Sequence, residues 1–159
     1  MPSVKCGFID IPGGVPANDL LSLWGASLHV DIGFDPNYSP GGKASPVPGR
    51  TGLPAQIDTG AGESCIDSLL AAQLNLPIVD RRMIAGAHGA KELNMHLAQI
   101  HIPALNFTIY GAFAGVDLRA GGQPLDALLG RTFLKHFKMI YEGTTGSVEI
   151  IGPLKRNNP

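Results

Sequence analysis

In the stretch Leu28-His29-Val30-Asp31-Ile32-Gly33-Phe34, apolar residues take every second place, and polar or small residues fill the gaps. A side-chain period of two belongs to a strand with one buried face, and a helix does not satisfy it. The same chain holds 21 glycines and 13 prolines, which end regular elements early and favour turns. Short strands joined by turns are therefore expected, and with them a mainly β fold class. His29 falls on the polar face of its strand, where contact with solvent is expected.

Residues 1–19 carry Pro2, Pro12, Gly13, Gly14 and Pro16 with no sustained period. They read as an N-terminal arm, ordered only where it packs on something. A domain over residues 20–151 follows, and then a polar tail, 152–159. Within the domain, residues 35–54 form a loop by composition, with Pro36, Pro40, Pro46, Pro48 and Pro54 among Gly41, Gly42, Gly49 and Gly52. Because Asp58 follows directly, this loop is expected to border the functional cleft, with a solvated insertion as the alternative. Cys65 and Ile66 read as a returning strand. Asp67 is placed to cap a short helix, Ser68 to Gln73, that Leu74 to Pro77 ends.

Arg81 to Ala85 and Lys91 to Ile102 flank Gly86-Ala87-His88-Gly89, whose glycines permit the positive φ angles of a tight hairpin tip. Leu93, Met95 and Leu97 share one face, whereas Ala98, Ile100 and Ile102 take the other. That change of parity implies a bulge, or a strand that passes from the hairpin into the core. Phe107, Ile109 and Phe113 continue the period after a turn over Pro103 to Asn106. Leu125 to Gly130 is short and apolar, and Arg131 to Phe137 places Phe133, Leu134 and Phe137 on one helical face. Met139 to Tyr141 and Ser147 to Ile151 pair across Glu142 to Gly146. No internal repeat of domain size is present.

Chemistry points to Ala55-Gln56-Ile57-Asp58-Thr59-Gly60-Ala61-Gly62-Glu63-Ser64. Apolar residues lead into an Asp-Thr-Gly triplet and small residues follow, the order of a strand ending in a tight turn with a carboxylate at its tip. No His, Cys or second acid stands beside Asp58 in sequence. A carboxylate does acid–base work on a peptide best when a second one shares its proton. With one such triplet and no repeat, half an active site is expected, completed by a second copy of the chain.

Twelve basic and 13 acidic residues nearly cancel, so charge supplies no reason to expect nucleic acid or an anionic membrane as partner. Cys6 and Cys65 are too few for a disulfide framework and lack metal-ligand spacing, and both are expected to be reduced thiols. No basic-then-apolar leader opens the chain, and no apolar run approaches bilayer length. A soluble, cytoplasmic protein without metal or cofactor is the expectation.

From Leu20 to Ile151 the chain resembles the retropepsin-like aspartic proteases, single-lobed relatives of pepsin that act as homodimers. The resemblance rests on Ile57-Asp58-Thr59-Gly60-Ala61, on the Gly-tipped hairpin near His88, and on Leu128-Leu129-Gly130-Arg131 ahead of a short helix. It implies a single-lobed acid-protease barrel with a flap hairpin and one short C-terminal helix, acting on polypeptides as a homodimer. Asp58 would be catalytic, and Thr59 would hydrogen-bond across the dimer. Gly60 would admit substrate backbone, and Ala61 would line the wall of the cleft. Gly86, Ala87, His88 and Gly89 would form a flap closing over an extended peptide. Glu63, Leu129, Gly130 and Arg131 would support the site.

Two departures bear on these roles. Many retroviral members carry an acid directly after the Ala that follows the triplet, paired with an Arg after the apolar-apolar-Gly. Here Gly62 stands in that place and Glu63 comes one later, so a pair between Arg131 and Glu63 is the counterpart to look for. The arm and the 35–54 loop also make the chain longer than a retroviral protease, which bears on how a dimer would close. Alternatives are a non-catalytic peptide-binding module on the same fold, and a small β-barrel with neither activity. Were a monomer active, Asp31, Asp117 and Asp126 would be the candidates for a second acid.

Overall fold

The alternating stretch becomes strand β2 (Ser27–Gly33), with Leu28, Val30 and Ile32 buried and His29 exposed. The computed structural model describes residues 1–156; the last part of the expected tail, residues 157–159, lies outside the described residues. Ahead of β2 come β1 (Ser3–Lys5) and α1 (Ala17–Trp24). After it run β3 (Arg50–Ile57), β4 (Cys65–Asp67), α2 (Ser68–Gln73), β5 (Ile78–Gly86), β6 (Gly89–Ile102) and β7 (Phe107–Val116). The chain ends with β8 (Ala127–Leu129), α3 (Arg131–Leu134), β9 (Lys138–Glu142) and β10 (Ser147–Ile151). With 43% strand against 13% helix, the fold is mainly β.

Seven strands form one sheet in the order β2-β3-β8-β4-β7-β6-β5. A further pairing of β2 with β6, through Asp31 and His101, Ile32 and Ile100, and Gly33 and Gln99, closes the sheet on itself. Closure leaves β2 and β6 without open edges along this stretch and encloses one core. Val30, Ile32, Ala55, Ile66, Ala98, Ile100, Ile102, Ala127 and Leu129 fill it, all fully buried. Each large aliphatic side chain so placed contributes about 1.5–3 kcal/mol of transfer free energy. A second sheet, β1-β10-β9, lies outside the ring.

The parity change in β6 is a strand passing from hairpin to core. Its pairing with β7 is unbroken from Met95 to Ile102. Lys91 and Glu92 are exposed, whereas Met95, His96, Ala98, Gln99 and Ile100 are buried. Both parities are covered where barrel strands and α2 close over the two faces. The irregularity in register falls on β5, between Ile78 and Asp80.

The long loop differs from the expectation in extent and in place. β3 already begins at Arg50, so the irregular stretch ends there, and Pro54 lies inside a strand opposite His29. Proline lacks only the donor, and the Pro54 carbonyl still accepts from the Asp126 amide at 2.9 Å. The loop does not border Asp58. It enters β3 at Arg50, and the eight residues of that strand, roughly 25 Å of chain, separate it from the triplet. It folds instead on β6 and β7. The buried Gln99 side chain accepts from the Asp35 amide at 2.7 Å and donates to the Asp35 carbonyl at 3.2 Å. Tyr38 meets Tyr110 edge-on, with ring centroids 5.7 Å apart.

Residues of the arm enter two elements. β1 pairs with β10 from Ser3 to Lys5, and Cys6 is buried behind it. Helix α1 has no counterpart in the sequence reading, because its 8 residues show too few turns to establish a period. At the other end, Arg131 to Phe137 is a single turn of α-helix continued by turn hydrogen bonds. Phe133 and Phe137 share its inner side, 4.7 Å between centroids, and both pack on Phe107.

Candidate active site

Asp58 stands at the end of β3, where a parallel neighbour holds the strand. Ala55, Gln56 and Ile57 pair with Ala127, Leu128 and Leu129 of β8. The Asp58 amide donates to the Leu129 carbonyl at 2.9 Å, which carries the pairing one residue past the strand. The chain then turns. The Gly60 amide donates to Asp58 Oδ1 at 2.9 Å, and the Ala61 amide to the Asp58 carbonyl at 3.2 Å. One carboxylate oxygen is thus oriented by the backbone, while Oδ2 has no hydrogen-bond partner among the described residues. Asp58 is half-buried, and Thr59 and Gly60 are exposed. A Cβ on Gly60 would stand 3.1 Å from Asp58 Oδ1. The glycine therefore leaves room for the carboxylate itself.

The apolar-apolar-Gly-Arg segment lies directly beneath this turn. The Arg131 and Thr132 amides donate to the Ala61 and Gly62 carbonyls at 2.8 and 3.0 Å. The Gly130 amide donates to Ser64 Oγ at 3.0 Å. Gly130 is buried so closely that a Cβ there would meet the Glu63 carbonyl oxygen at 2.6 Å and the Ala61 carbonyl oxygen at 2.9 Å. Leu129, fully buried, anchors the segment in the core.

Arg131 does not pair with Glu63. Its Nη1 donates to the Thr59 carbonyl at 2.9 Å, and the Glu63 side chain is exposed, with no ion pair among the described residues. The shift of the acid by one place explains the change. Glu63 presents its backbone to Gly130, so the guanidinium turns to the nearest free carbonyl of the triplet. The sequence assigns Ser64 no role. Its place after Gly62 and Glu63 in a chain about to become β4 is the only local signal that its hydroxyl turns inward.

The other expected group is a separate structure. β5 and β6 form a long hairpin whose last pair is Gly86 with Gly89, leaving Ala87 and His88 as the tip. Gly89 takes φ +103°, which an L side chain rarely adopts. Residues 78–92 are all exposed, His88 included. Lys91 Nζ donates to Asp117 Oδ2 at 3.3 Å, and Asp117 Oδ1 also accepts from the Ser68 hydroxyl. These two contacts, Ser68 first, hold the Asp117 carboxyl below its usual range.

The three alternative acids have other partners. Asp31 accepts from the Gly52 amide at 3.0 Å, Asp117 is held as just described, and Asp126 binds Arg119 through both oxygens at 3.0 and 2.9 Å. Asp67 caps α2 as expected, accepting from the Leu70 amide at 3.2 Å, and its other oxygen takes the Leu118 and Arg119 amides. Neither cysteine is in a disulfide. Burial pushes the Cys65 thiol up to about 11 and the Cys6 thiol up to about 12. Among the described residues no three His, Cys, Asp or Glu side chains converge as a metal site. No helix there is long and apolar enough to cross a membrane.

The arrangement is a closed β-barrel with one carboxylate held at a strand end over a buried glycine. No protein-family model matches the chain, and no curated protein does. Among solved structures, a retropepsin-like aspartic protease from Rickettsia conorii is similar at 13% identity and a TM-score of 0.48, over 93% of this chain and 89% of that one. The EIAV protease, in complex with the inhibitor HBY-793, is similar at 18% identity and a TM-score of 0.46, over 69% of this chain and 85% of that one. Both scores lie under 0.5.

Proposed function

We propose that the chain is one half of a retropepsin-like aspartic endopeptidase, active as a homodimer in which two Asp58 carboxylates face each other. The observation that carries the reading is the Asp58 turn. One carboxylate oxygen is fixed by the Gly60 amide, the other is unpartnered, and β8, Gly130 and Arg131 hold the whole turn from beneath. Fixing the turn takes only one of the two oxygens, so the second is left free for a proton or a water.

Two such carboxylates at close range cannot both ionise, so the pair holds one proton and a water between them. The ionised member takes a proton from that water as the oxygen attacks the peptide carbonyl. The protonated member donates to the carbonyl oxygen, and collapse of the tetrahedral intermediate sends a proton to the leaving nitrogen. Thr59, exposed on the same turn, would meet its mate and keep the two loops rigid. The Gly86–Gly89 tip would close over an extended peptide, with backbone groups added alongside the substrate strand and water excluded. The role of Ala61 is to line the wall next to the dyad.

The test is cleavage of a mixed peptide library by the purified protein and by Asp58→Asn. Asparagine keeps the shape and removes the shared proton, so turnover should fall by at least about 10²–10⁴-fold while the far-UV spectrum is unchanged. Cleavage retained by Asp58→Asn would falsify the mechanism. Library binding without cleavage by the wild type would favour the peptide-binding module.

A further inference from the structure

Helix α1 carries one broad apolar arc, opposite Asn18, Asp19 and Ser22, and the body of the protein covers only part of it. Ala17 and Leu21, one turn apart, are buried against the body of the protein. Leu20, Leu23 and Trp24 continue the same arc beyond the buried part, at helical spacing. Leu23 is 70% and Trp24 54% exposed. A surface helix ordinarily carries polar residues on its outer face, and this one has a Leu and the chain's single Trp there.

The helix ends beside the catalytic strand. The Gln56 side chain donates from Nε2 to the Trp24 carbonyl at 3.1 Å. The Ile57 amide donates to the Ala26 carbonyl at 2.9 Å, and Ser27 pairs with Gln56. The uncovered stripe is thereby tied to the two residues that precede Asp58. A second Asp58 that meets the first would approach the end of the barrel where α1 joins β2 and β3.

Of the terminal strands, the central β10 has no edge to offer a second copy, while β1 and β9 each keep an outer one. β10 pairs with β1 on one side and with β9 on the other, all within one chain. Both its hydrogen-bonding edges are used, so it cannot be shared with a second copy without first being broken.

We infer that the Leu20-Leu23-Trp24 face of α1 is a dimer-closing surface, covered by a second copy of this chain when the two Asp58 turns meet. The inference rests on the homodimeric reading above and adds where the partner is held. Closure through this face leaves the in-chain β1-β10-β9 sheet intact. It also explains why a helix whose apolar arc is wider than its buried face stands immediately before the barrel.

The single tryptophan reports on this directly. Wild-type emission is followed across a dilution series, with sedimentation equilibrium on the same samples. Emission should move to shorter wavelength in step with the dimer fraction, as Trp24 leaves water. Leu23→Glu, at an exposed position, should fold as the wild type does by far-UV circular dichroism. Two-fold symmetry places the substitution twice in each dimer. A loss of about tenfold per copy therefore raises the dimer dissociation constant about 100-fold. Asp58→Asn should dimerise as the wild type does. A dimer whose formation leaves Trp24 emission unmoved overturns the inference while the protease reading stands. So does a folded Leu23→Glu protein that dimerises with unchanged affinity. A wild type that cleaves peptides as a monomer overturns both, and cleavage retained by Asp58→Asn overturns the protease reading alone.

Discussion

Replacing Gly130 by alanine isolates the contact on which the Asp58 turn rests. The residue has φ −91°, which any amino acid adopts, so the substitution brings no backbone strain of its own. The cost comes from the neighbours. A new Cβ would stand 2.6 Å from the Glu63 carbonyl oxygen, 2.8 Å from its carbon and 2.9 Å from the Ala61 oxygen, all main-chain atoms. Those atoms cannot swing aside as a side-chain tip can. The Ala61 carbonyl is bonded to the Arg131 amide, and Ser64 Oγ holds the Gly130 amide. Overpacking of this kind costs about 1–3 kcal/mol, which in a chain of this size lowers the melting temperature by roughly 2–12 °C. Gly62→Ala is the matched control, since its Cβ would meet only Arg131 Nη2 at 3.6 Å, an ordinary contact. Thermal unfolding of the three proteins is compared at one protein concentration, because dimerisation would itself raise the midpoint. Peptide turnover below the melting range is measured alongside, and Gly130→Ala should lose more of it than Gly62→Ala. If Gly130→Ala melted with wild type, the turn would have relaxed freely, and the argument that Gly130 fixes Asp58 would fail.

Arg131→Met removes the guanidinium bond to the Thr59 carbonyl. Because Arg131 is exposed, the stability loss should stay near 1 kcal/mol or below. The loss should fall on kcat rather than KM, and an equal change in both would argue against a positioning role. Two carboxylates sharing one proton titrate as a pair, so turnover against pH should be a bell on the acid side of neutrality; a rate rising steadily into alkaline pH would point to another catalytic group. The buried thiols set a separate alkaline limit. Burial pushes the Cys65 thiol up to about 11 and the Cys6 thiol up to about 12 in the folded chain, above the ordinary thiol range. The unfolded chain thus loses protons first, and stability falls as pH rises from about 9. Alkylation of both thiols should be slow at neutral pH and fast once the chain is unfolded, and rapid labelling of native protein would contradict their burial.

The sequence by itself determined the strands and the turn. Leu28, Val30 and Ile32 alternate because a half-buried strand needs one apolar face, and neighbours in sequence are enough to reveal it. The hairpin tip at Gly86–Gly89 and the cap on Asp67 were legible for the same reason, since each is a local requirement of backbone geometry. Helix α1 was not, because 8 residues make little more than two turns, too few to establish a period. Only the tertiary structure decided what lies beneath Asp58. Ser64 and Gly130 are 66 positions apart and Thr59 and Arg131 are 72 apart, and such pairs meet only once β3 and β8 have aligned in parallel. It also decided that Arg131 holds Thr59 in place of Glu63, and that the long loop folds on β6 at the far end of β3. Proximity along the chain suggests otherwise for the loop, and the family resemblance suggests otherwise for Arg131. A strand carries its two ends some 25 Å apart, so what is adjacent in sequence can stand on opposite sides of a barrel.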